Sequence, residues 1–320
     1  MPHIVFVLSF FLFASLSRIA GATEIAILTS ANLPYYDQAV VGFKAGLPAA
    51  TSTKEYHLNG QLEEGRHIAK SLRAAPPDLI FAVGLKAAVA AKLEIFDTPV
   101  VFCMVLNPEA HGLPAQNMTG IAVRPTPDTQ LAALRAAIPN RHRIGVLYDD
   151  QHSGDFIRQA HQAAKQQGLE LLAVAIRRQD EIPNTVRALL PKINVLWLIQ
   201  DQTVVSESAI PFFLESTLDA RIPLFTFSLT LVQQGALGAL VLDPWTVGQQ
   251  AARMAQSHLN GQQASAGVLQ APERPQLALN ANAAEHLGLA LSPEQMRLAG
   301  HLFSGPGALA KKPGQSDFIP

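Results

Sequence analysis

The chain has a single cysteine, Cys103, among its 320 residues, so no disulfide can form within it. Charged residues are also scarce, at 15% of the chain, and the formal net charge is −1. Because there is no basic excess to neutralise phosphates, the composition argues against nucleic-acid binding. Cys103 ends an apolar Val-Val-Phe-Cys run, and we expect it to be a small buried core residue rather than a reactive thiol.

Long hydrophobic runs are lacking after the N-terminal region. The apolar run from Ile4 to Leu16 is short for a bilayer span. Ala20-Gly21-Ala22 follows it and has the A-x-A pattern of a leader cleavage site. We therefore predict that residues 1–22 are a signal peptide cleaved after Ala22, and that the mature protein works outside the cytoplasm.

No catalytic or metal-binding motif is recognisable. The ten histidines are scattered, with no H-E-x-x-H motif and no pair at i, i+4. A G-x-S-x-G elbow and a Walker A loop are missing too. An extracytoplasmic enzyme is the least favoured hypothesis, since no nucleophile–base pair can be named. We expect no catalytic residue, no metal and no cofactor.

Short apolar runs alternate with helix-like segments along the chain. The clearest unit runs from Pro77 to Gly120. In it, Leu79 to Val83 and Val100 to Cys103 are typical of buried parallel strands, separated by an Ala-rich helical segment, Lys86 to Leu93. The alternation occurs twice, before and after an interruption at Met118 to Pro127. This pattern predicts two doubly wound α/β lobes with parallel sheets rather than one barrel.

Further strands and a tail complete the prediction. Residues 304–320 are rich in Gly, Pro, Lys and Ser, which predicts a disordered tail. The other predicted strands are Glu24–Leu28, Thr53–Leu58, Ile144–Tyr148, Leu171–Ile176, Val195–Ile199, Pro223–Phe227, Leu237–Leu242 and Gln276–Leu279, and Met118–Val123 is predicted as a short extended segment.

Loops that leave the carboxyl ends of parallel strands are where open α/β sheets bind ligands. In the first half, Ser30 can donate a hydroxyl, and the helix beginning after Gly84 offers free N–H groups suited to a carboxylate. Tyr35 and Tyr36 could stack on a flat ligand, with packing beneath the loop as the alternative for either.

Two more residues of the first half are candidates. Lys86 stands at a helix start, where cations are disfavoured, so it could meet an anionic ligand. Asn107 can both donate and accept hydrogen bonds, and capping of its own loop is an equally good interpretation.

In the second half, polar residues follow three of the predicted strands, namely Asp149, Gln200 with Asp201, and Ser228. Asp201 is the leading candidate for a cationic ligand group, with a turn role before the next helix as the alternative. Asp243 could also serve. Trp197 lies inside a strand and is expected in the core, whereas Trp245 could line a cleft edge.

Several stretches of the sequence are similar to motifs of one known family, and they occur in the same order and with similar spacing. They are GFKAGL (42–47), PDLIFAVGLKAA (77–88), PVVF with NPEAHGL (99–113), NMTGI (117–121), RIGVLYD (143–149), QDQTVVSE (200–207), IPLF (222–225) and QQGALGAL with DP and GQQAARMA (233–255). The chain resembles the periplasmic substrate-binding proteins of ABC transporters with the type I fold, in the group related to tryptophan- and tyrosine-binding proteins.

The resemblance implies two lobes joined by three crossing segments, near Ile121, Asp243 and Leu279. Lobe 1 would comprise residues 23–121 and 244–278, and lobe 2 residues 122–243 and 279–303. A periplasmic monomer would capture a small molecule in the cleft and deliver it to an ABC permease in the inner membrane. A sensor module of the same fold, presenting its ligand to a membrane receptor, is the alternative.

The departures from the family pattern bear on the ligand. Family members commonly carry Thr or Ser and an Asp before the Pro of the NPEAHGL stretch, and this chain has Leu106 and Asn107. After the IPLF strand, Phe227-Ser228 replaces a frequent Ser-Asp. An ammonium group needs an anionic partner when buried. The loss of these carboxylates weakens the amino-acid interpretation, although Asp201 and Asp243 could still pair with an ammonium group. The expected ligand is an aromatic or branched amino acid or a related small organic solute, and a more apolar or neutral ligand is the open alternative.

Overall fold

The computed structural model describes residues 23–262 and 267–304. The predicted signal peptide and the predicted tail beyond residue 304 lie outside these ranges.

Strands and helices alternate through most of the described chain. The strands are Glu24–Thr29 (β1), Ser52–His57 (β2), Leu79–Val83 (β3), Val100–Val105 (β4), Met118–Ala122 (β5), Arg143–Tyr148 (β6), Glu170–Ala175 (β7), Val195–Trp197 (β8), Leu224–Thr226 (β9), Gly238–Val241 (β10), Leu269–Gln270 (β11), Gln276–Asn280 (β12) and Ala299–Phe303 (β13). The α-helices are Pro34–Ala45 (α1), Leu62–Ala74 (α2), Leu85–Glu94 (α3), Pro127–Ala137 (α4), Asp150–Gln166 (α5), Ile182–Leu189 (α6), Ala209–Asp219 (α7), Leu229–Gln234 (α8), Pro244–Leu259 (α9), Ala281–His286 (α10) and Pro293–Leu298 (α11).

The strands form two sheets. The first has the order β11-β5-β4-β3-β1-β2 and the second β13-β12-β10-β9-β8-β6-β7. The first five strands of each half therefore share one order, with the second strand outside the first and the others on its opposite side. Neighbouring strands are parallel, except that β12 runs antiparallel to β10. The prediction of two doubly wound α/β lobes is confirmed.

Helices cover both faces of the sheets, which is why the central strands are apolar throughout. All residues of β3 and β4 are buried. In the first lobe Phe43 of α1 stacks on Phe81 of β3, with ring centroids 3.9 Å apart. Cys103 is fully buried, as expected. In the second lobe Trp197 is 1% exposed and donates through Nε1 to Gln130 Oε1 over 3.3 Å, which confirms its place in the core.

The chain passes between the sheets three times. It leaves the first sheet after β5, returns between β10 and α9, and leaves again between β11 and β12. Because Leu279 of β12 pairs with Gly238 of β10, the third crossing lies at residues 271–275, earlier than the expected position near Leu279. We propose lobe boundaries of 23–121 with 244–270, and 122–243 with 276–303.

Several elements were not predicted. They are α8, β11, α11 and β13. The strand β11 has only two residues and exists because Leu269 and Gln270 pair with Gly120 and Ile121. The helix α8 has six residues, too few for a helical period to be read.

In the ranges 23–262 and 267–304, none of the helices has the length and apolar character needed to cross a bilayer.

Candidate ligand-binding site

Each sheet has one point at which the strand order reverses. In the first sheet it lies between β1 and β3, and in the second between β6 and β8. Ligands of open α/β sheets bind outside the carboxyl ends of the strands at such points. Ser30 and Gly84 directly follow β1 and β3, and Asp149 directly follows β6. Asp201 comes a few residues beyond β8. The topology alone thus selects four of the predicted site residues.

Ser30 and Gly84 lie side by side at the edge of the first sheet. The Ser30 amide donates to the Val83 carbonyl over 2.9 Å. Its hydroxyl oxygen accepts from the Ala87 amide, also over 2.9 Å, so it caps the first turn of α3 from a different strand. The Ser30 hydroxyl hydrogen remains available to an acceptor, since a hydroxyl both accepts and donates. Ser30 itself is 5% exposed.

Gly84 has backbone angles that other residues avoid, φ 86° and ψ 168°. A Cβ at this position would lie 2.5 Å from Tyr36 Oη and 2.7 Å from Ser30 Oγ. We expect Gly84→Ala to lower the free energy of unfolding by about 2 kcal/mol, from strain and crowding. It should also weaken ligand binding, because Ser30 must move. Urea denaturation and calorimetric titration measure the two effects.

Gly168→Ala is the matched control for that substitution. Gly168 also has a positive φ, 70°, but a Cβ there would meet nothing within 4 Å. We expect a loss of about 1 kcal/mol from backbone strain alone and unchanged ligand binding. Equal losses of stability and unchanged binding in both variants would contradict the placement of Gly84 at the site.

The two tyrosines of the first loop have different surroundings. Tyr36 is 3% exposed and packs in the core of the first lobe, so its ring has no free face for a ligand to stack on. Burial raises the pKa of Tyr36, partly offset by its hydrogen bond with Tyr35. The rings meet edge to face, with centroids 4.6 Å apart. Tyr36 thus has the packed position that was its alternative, and stacking on a ligand stays a prediction for the half-buried Tyr35.

Lys86 is engaged by the protein itself. Its Nζ donates to the Gly60 carbonyl over 2.6 Å, which ties the start of α3 to the loop after β2. A backbone carbonyl thus stabilises this cation at a helix N-terminus. The predicted ligand role of Lys86 has this structural alternative.

Asp201 organises the loop after β8. It is 1% exposed, and its carboxylate accepts from the amides of Asp149 at 2.9 Å, Thr203 at 3.0 Å and Val204 at 3.2 Å. Because three backbone donors occupy this carboxylate, little of it is left for a cationic ligand group. The geometry corresponds to the turn role that was the alternative for Asp201.

Asp149 caps the helix α5 at the same edge. Its carboxylate accepts from the Gln151 amide at 2.9 Å and from the Thr203 hydroxyl at 2.7 Å. The Thr203 hydrogen bond, helped by that of Gln151, holds the pKa of Asp149 below its usual value, against the opposing effect of burial. Asp149 and Asp201 therefore form one buried, hydrogen-bonded framework that holds this loop.

Ser228 and Asp243 are also helix caps. The Ser228 hydroxyl accepts from the Leu231 amide over 3.4 Å, and Asp243 Oδ1 accepts from the Trp245 amide over 3.2 Å. Both caps are half-buried, whereas the Trp245 side chain is 40% exposed.

Arg124 is a further candidate site residue, and it was not predicted from the sequence. It lies in the first crossing, just after β5. Its Nη2 donates to Asn107 Oδ1 over 3.1 Å, and Asn107 follows β4 of the first sheet. Its Nη1 reaches Ser153 Oγ and the Gln200 carbonyl, each at 3.3 Å, and both belong to the second lobe. Arg124 therefore joins the carboxyl edges of the two sheets, and it brings Asn107 and Gln200 to one place.

The Arg124 guanidinium is held in a partly dry environment. Its Cζ lies 4.0 Å from the centroid of the Phe156 ring, which covers one face. Burial lowers the pKa of Arg124 to about 10, against the opposing influence of Asp201 and Glu109. The group is still protonated at neutral pH. The sequence offered one indication of this role: an arginine stands next to the predicted crossing near Ile121 in a chain with few charged residues.

Two α/β lobes and three crossing segments, with Arg124 joining the carboxyl edges of the two sheets, define the type I periplasmic binding protein fold. The chain belongs to the family of ABC transporter substrate-binding proteins, whose family model matches residues 24–302. Proteins of this family capture a solute for transport and have a small-molecule ligand and a permease partner.

Known proteins of this kind share a modest part of the sequence. A tyrosine-binding protein of Clostridioides difficile is 26% identical over 202 residues, which is 61% of this chain and 58% of that protein. The ligand-free, open structure of an adhesive substrate-binding protein from Clostridium difficile has a TM-score of 0.75. An L-Trp complex of an ABC domain from Streptococcus pneumonia has a TM-score of 0.62. Each structure is 22% identical over 88% of this chain, covering 100% and 99% of theirs, respectively.

Proposed function

We propose that this chain is an exported binding protein that captures an aromatic or branched amino acid, or a related small organic solute, between its lobes and delivers it to an ABC permease. One observation carries this proposal, the Arg124 side chain that connects Asn107 of the first lobe with Ser153 and Gln200 of the second. A solute bound beside Arg124 touches groups from both lobes.

The two edges offer complementary polar groups to such a solute. The first edge contributes the Ser30 hydroxyl and the N-terminus of α3, which favour an acceptor or an anion. Asn107 and the half-buried Tyr35 add an amide and an aromatic ring. The similarity to a tyrosine-binding protein and to an L-Trp complex supports an amino acid as the ligand class.

Lobe closure follows from the position of these groups. A solute that contacts both edges does so only when the lobes are together, and this differential contact shifts the population toward the closed state. The permease can then distinguish loaded from empty protein by shape.

We propose a periplasmic monomer, with residues 1–22 removed as a signal peptide after Ala22. Its role is binding without catalysis and without nucleic acid. No finding favours the alternative of a sensor module.

A thermal-shift panel tests the ligand class. The panel contains L-tyrosine, L-tryptophan, L-leucine, a nucleoside and a small dicarboxylic acid. A true ligand at 100 times its dissociation constant stabilises the folded state by about 2.7 kcal/mol, which is a clear rise in melting temperature. We expect this rise for at least one amino acid. A rise with the nucleoside alone, or with none of the compounds, would contradict the proposed class.

A further inference from the structure

The three hydrogen bonds of Arg124 leave part of its guanidinium unused. An arginine has five N–H donors in a planar fork. Nη1 donates to Ser153 Oγ and to the Gln200 carbonyl, and Nη2 donates to Asn107 Oδ1. Within the described residues, Nε–H and the second Nη2–H have no protein acceptor. The side chain therefore keeps hydrogen-bonding capacity after it has joined the two lobes.

The charge of Arg124 is also uncompensated at short range. Its three acceptors are an amide oxygen, a hydroxyl and a backbone carbonyl, all neutral. No carboxylate oxygen of residues 23–262 or 267–304 lies within 4.0 Å of it, whereas Arg66 has Glu94 at 2.9 Å. Asp201 and Glu109 act on the guanidinium from beyond ion-pair distance and offset only part of the cost of burying it. A ligand anion in direct contact would lower that cost further.

The surroundings of Arg124 fix it before any ligand arrives. The Phe156 ring covers one face at 4.0 Å, and hydrogen bonds from two directions set the plane. A pre-organised guanidinium loses little entropy on binding. These features suit a planar anion that accepts two parallel hydrogen bonds.

We infer that Arg124 anchors the carboxylate of the captured solute and makes the cleft selective for carboxylate-bearing solutes over their neutral analogues. This inference rests on the proposed function. Arginine–carboxylate pairs are often bidentate and are among the strong hydrogen bonds in proteins. With the carboxylate at Arg124, the remainder of the solute extends between the carboxyl edge of the first sheet, at Ser30, and that of the second sheet, at Asp149.

Isothermal titration of L-tyrosine and of L-tyrosine amide tests the inference, with L-tryptophan and its amide as a second pair. We expect wild type to bind the acid at least about 30-fold more tightly than the amide, as for a buried charge-assisted contact. Arg124→Gln should lose that factor for the acid and change little for the amide. Arg124→Lys, which keeps the charge but not the fork, should fall in between.

The acid-to-amide ratio separates anchoring from a purely structural role, because a loosened crossing would weaken both ligands equally. Arg135→Gln is the matched control, since Arg135 is exposed and its guanidinium donates to a backbone carbonyl, that of Gln167, over 3.3 Å. It should leave the ratio unchanged. Melting curves of both Arg124 variants check that they fold.

Any one of the following results would overturn the inference. A ratio unchanged in Arg124→Gln or Arg124→Lys, or equal binding of acid and amide by wild type, removes the anchor and leaves the solute-binding function intact. Wild type that binds only a nucleoside removes both the anchor and the amino-acid class. Wild type that binds no small molecule at all contradicts the proposed function itself, and the anchor with it.

Discussion

Replacing Asp201 by alanine should destabilise the protein by about 4 kcal/mol, the largest loss that we expect from a single polar side chain. The carboxylate is 1% exposed and accepts from three backbone amides, those of Asp149, Thr203 and Val204. Alanine would leave these donors without their acceptor, and an unsatisfied buried donor costs about 1–3 kcal/mol. Urea denaturation measures the change in free energy of unfolding.

Asp243→Ala is the comparison for Asp201→Ala. Asp243 is a half-buried helix cap whose carboxylate accepts from one amide, that of Trp245, at 3.2 Å. Loss of such a cap costs about 1 kcal/mol. If Asp201→Ala cost no more than Asp243→Ala, the carboxylate of Asp201 would not be the centre of its loop. A ligand contact would then become its better explanation.

Gly248→Ala should destabilise the protein by about 3 kcal/mol, although alanine is the better helix former. Gly248 lies within α9, where that helix crosses α1. A Cβ on Gly248 would lie 2.0 Å from the Ala39 carbonyl oxygen and 2.7 Å from the Phe43 nitrogen. Both atoms are backbone and cannot rotate away, so the helices must separate, and overpacking of this kind costs about 1–3 kcal/mol or more.

Gly154→Ala gives the opposite sign in a matched position. Gly154 lies within α5, and its Cβ would meet the Asp150 carboxylate at 2.5 Å, the movable end of an exposed side chain. Helix propensity then dominates, and we expect a gain of up to about 1 kcal/mol. Thermal melts of both variants settle the comparison. Equal shifts of melting temperature would mean that α1 and α9 do not approach closely at Gly248.

The alternation of apolar runs and helical segments was sufficient to predict the two lobes. The runs Leu79–Val83 and Val100–Cys103 are apolar throughout because helices cover both faces of their sheet. The last crossing segment was harder to predict. The strand β12 pairs with β10, far away in sequence, and this pairing moves the third crossing to residues 271–275. No local pattern encodes such a partner.

The positions of the candidate residues in the fold were predictable, whereas the roles of their side chains were less so. Residues that follow β1, β3 and β6 were selected correctly as edge residues, since the topology places them there. Their side chains are largely used by the protein. Ser30 caps α3, Lys86 binds Gly60, and Asp201 holds its own loop. A polar residue after a strand gives the same sequence signal whether it caps a helix or faces a ligand.

Arg124 shows what single-sequence reasoning leaves out. Its acceptors come from three separate parts of the chain, near residues 107, 153 and 200. Only the folded arrangement brings them together, and only burial lowers the pKa of the guanidinium to about 10. The sequence therefore gave no means of distinguishing Arg124 from the other Lys and Arg residues of the chain.

A crystal structure of the mature protein with L-tyrosine or L-tryptophan bound would test the account most directly. We predict density for the solute between the Ser30–Gly84 edge and the Asp149–Gln200 edge, with its carboxylate on Arg124 Nε and Nη2. Density on an outer face of either lobe, or in the cleft with the carboxylate turned away from Arg124, would contradict it.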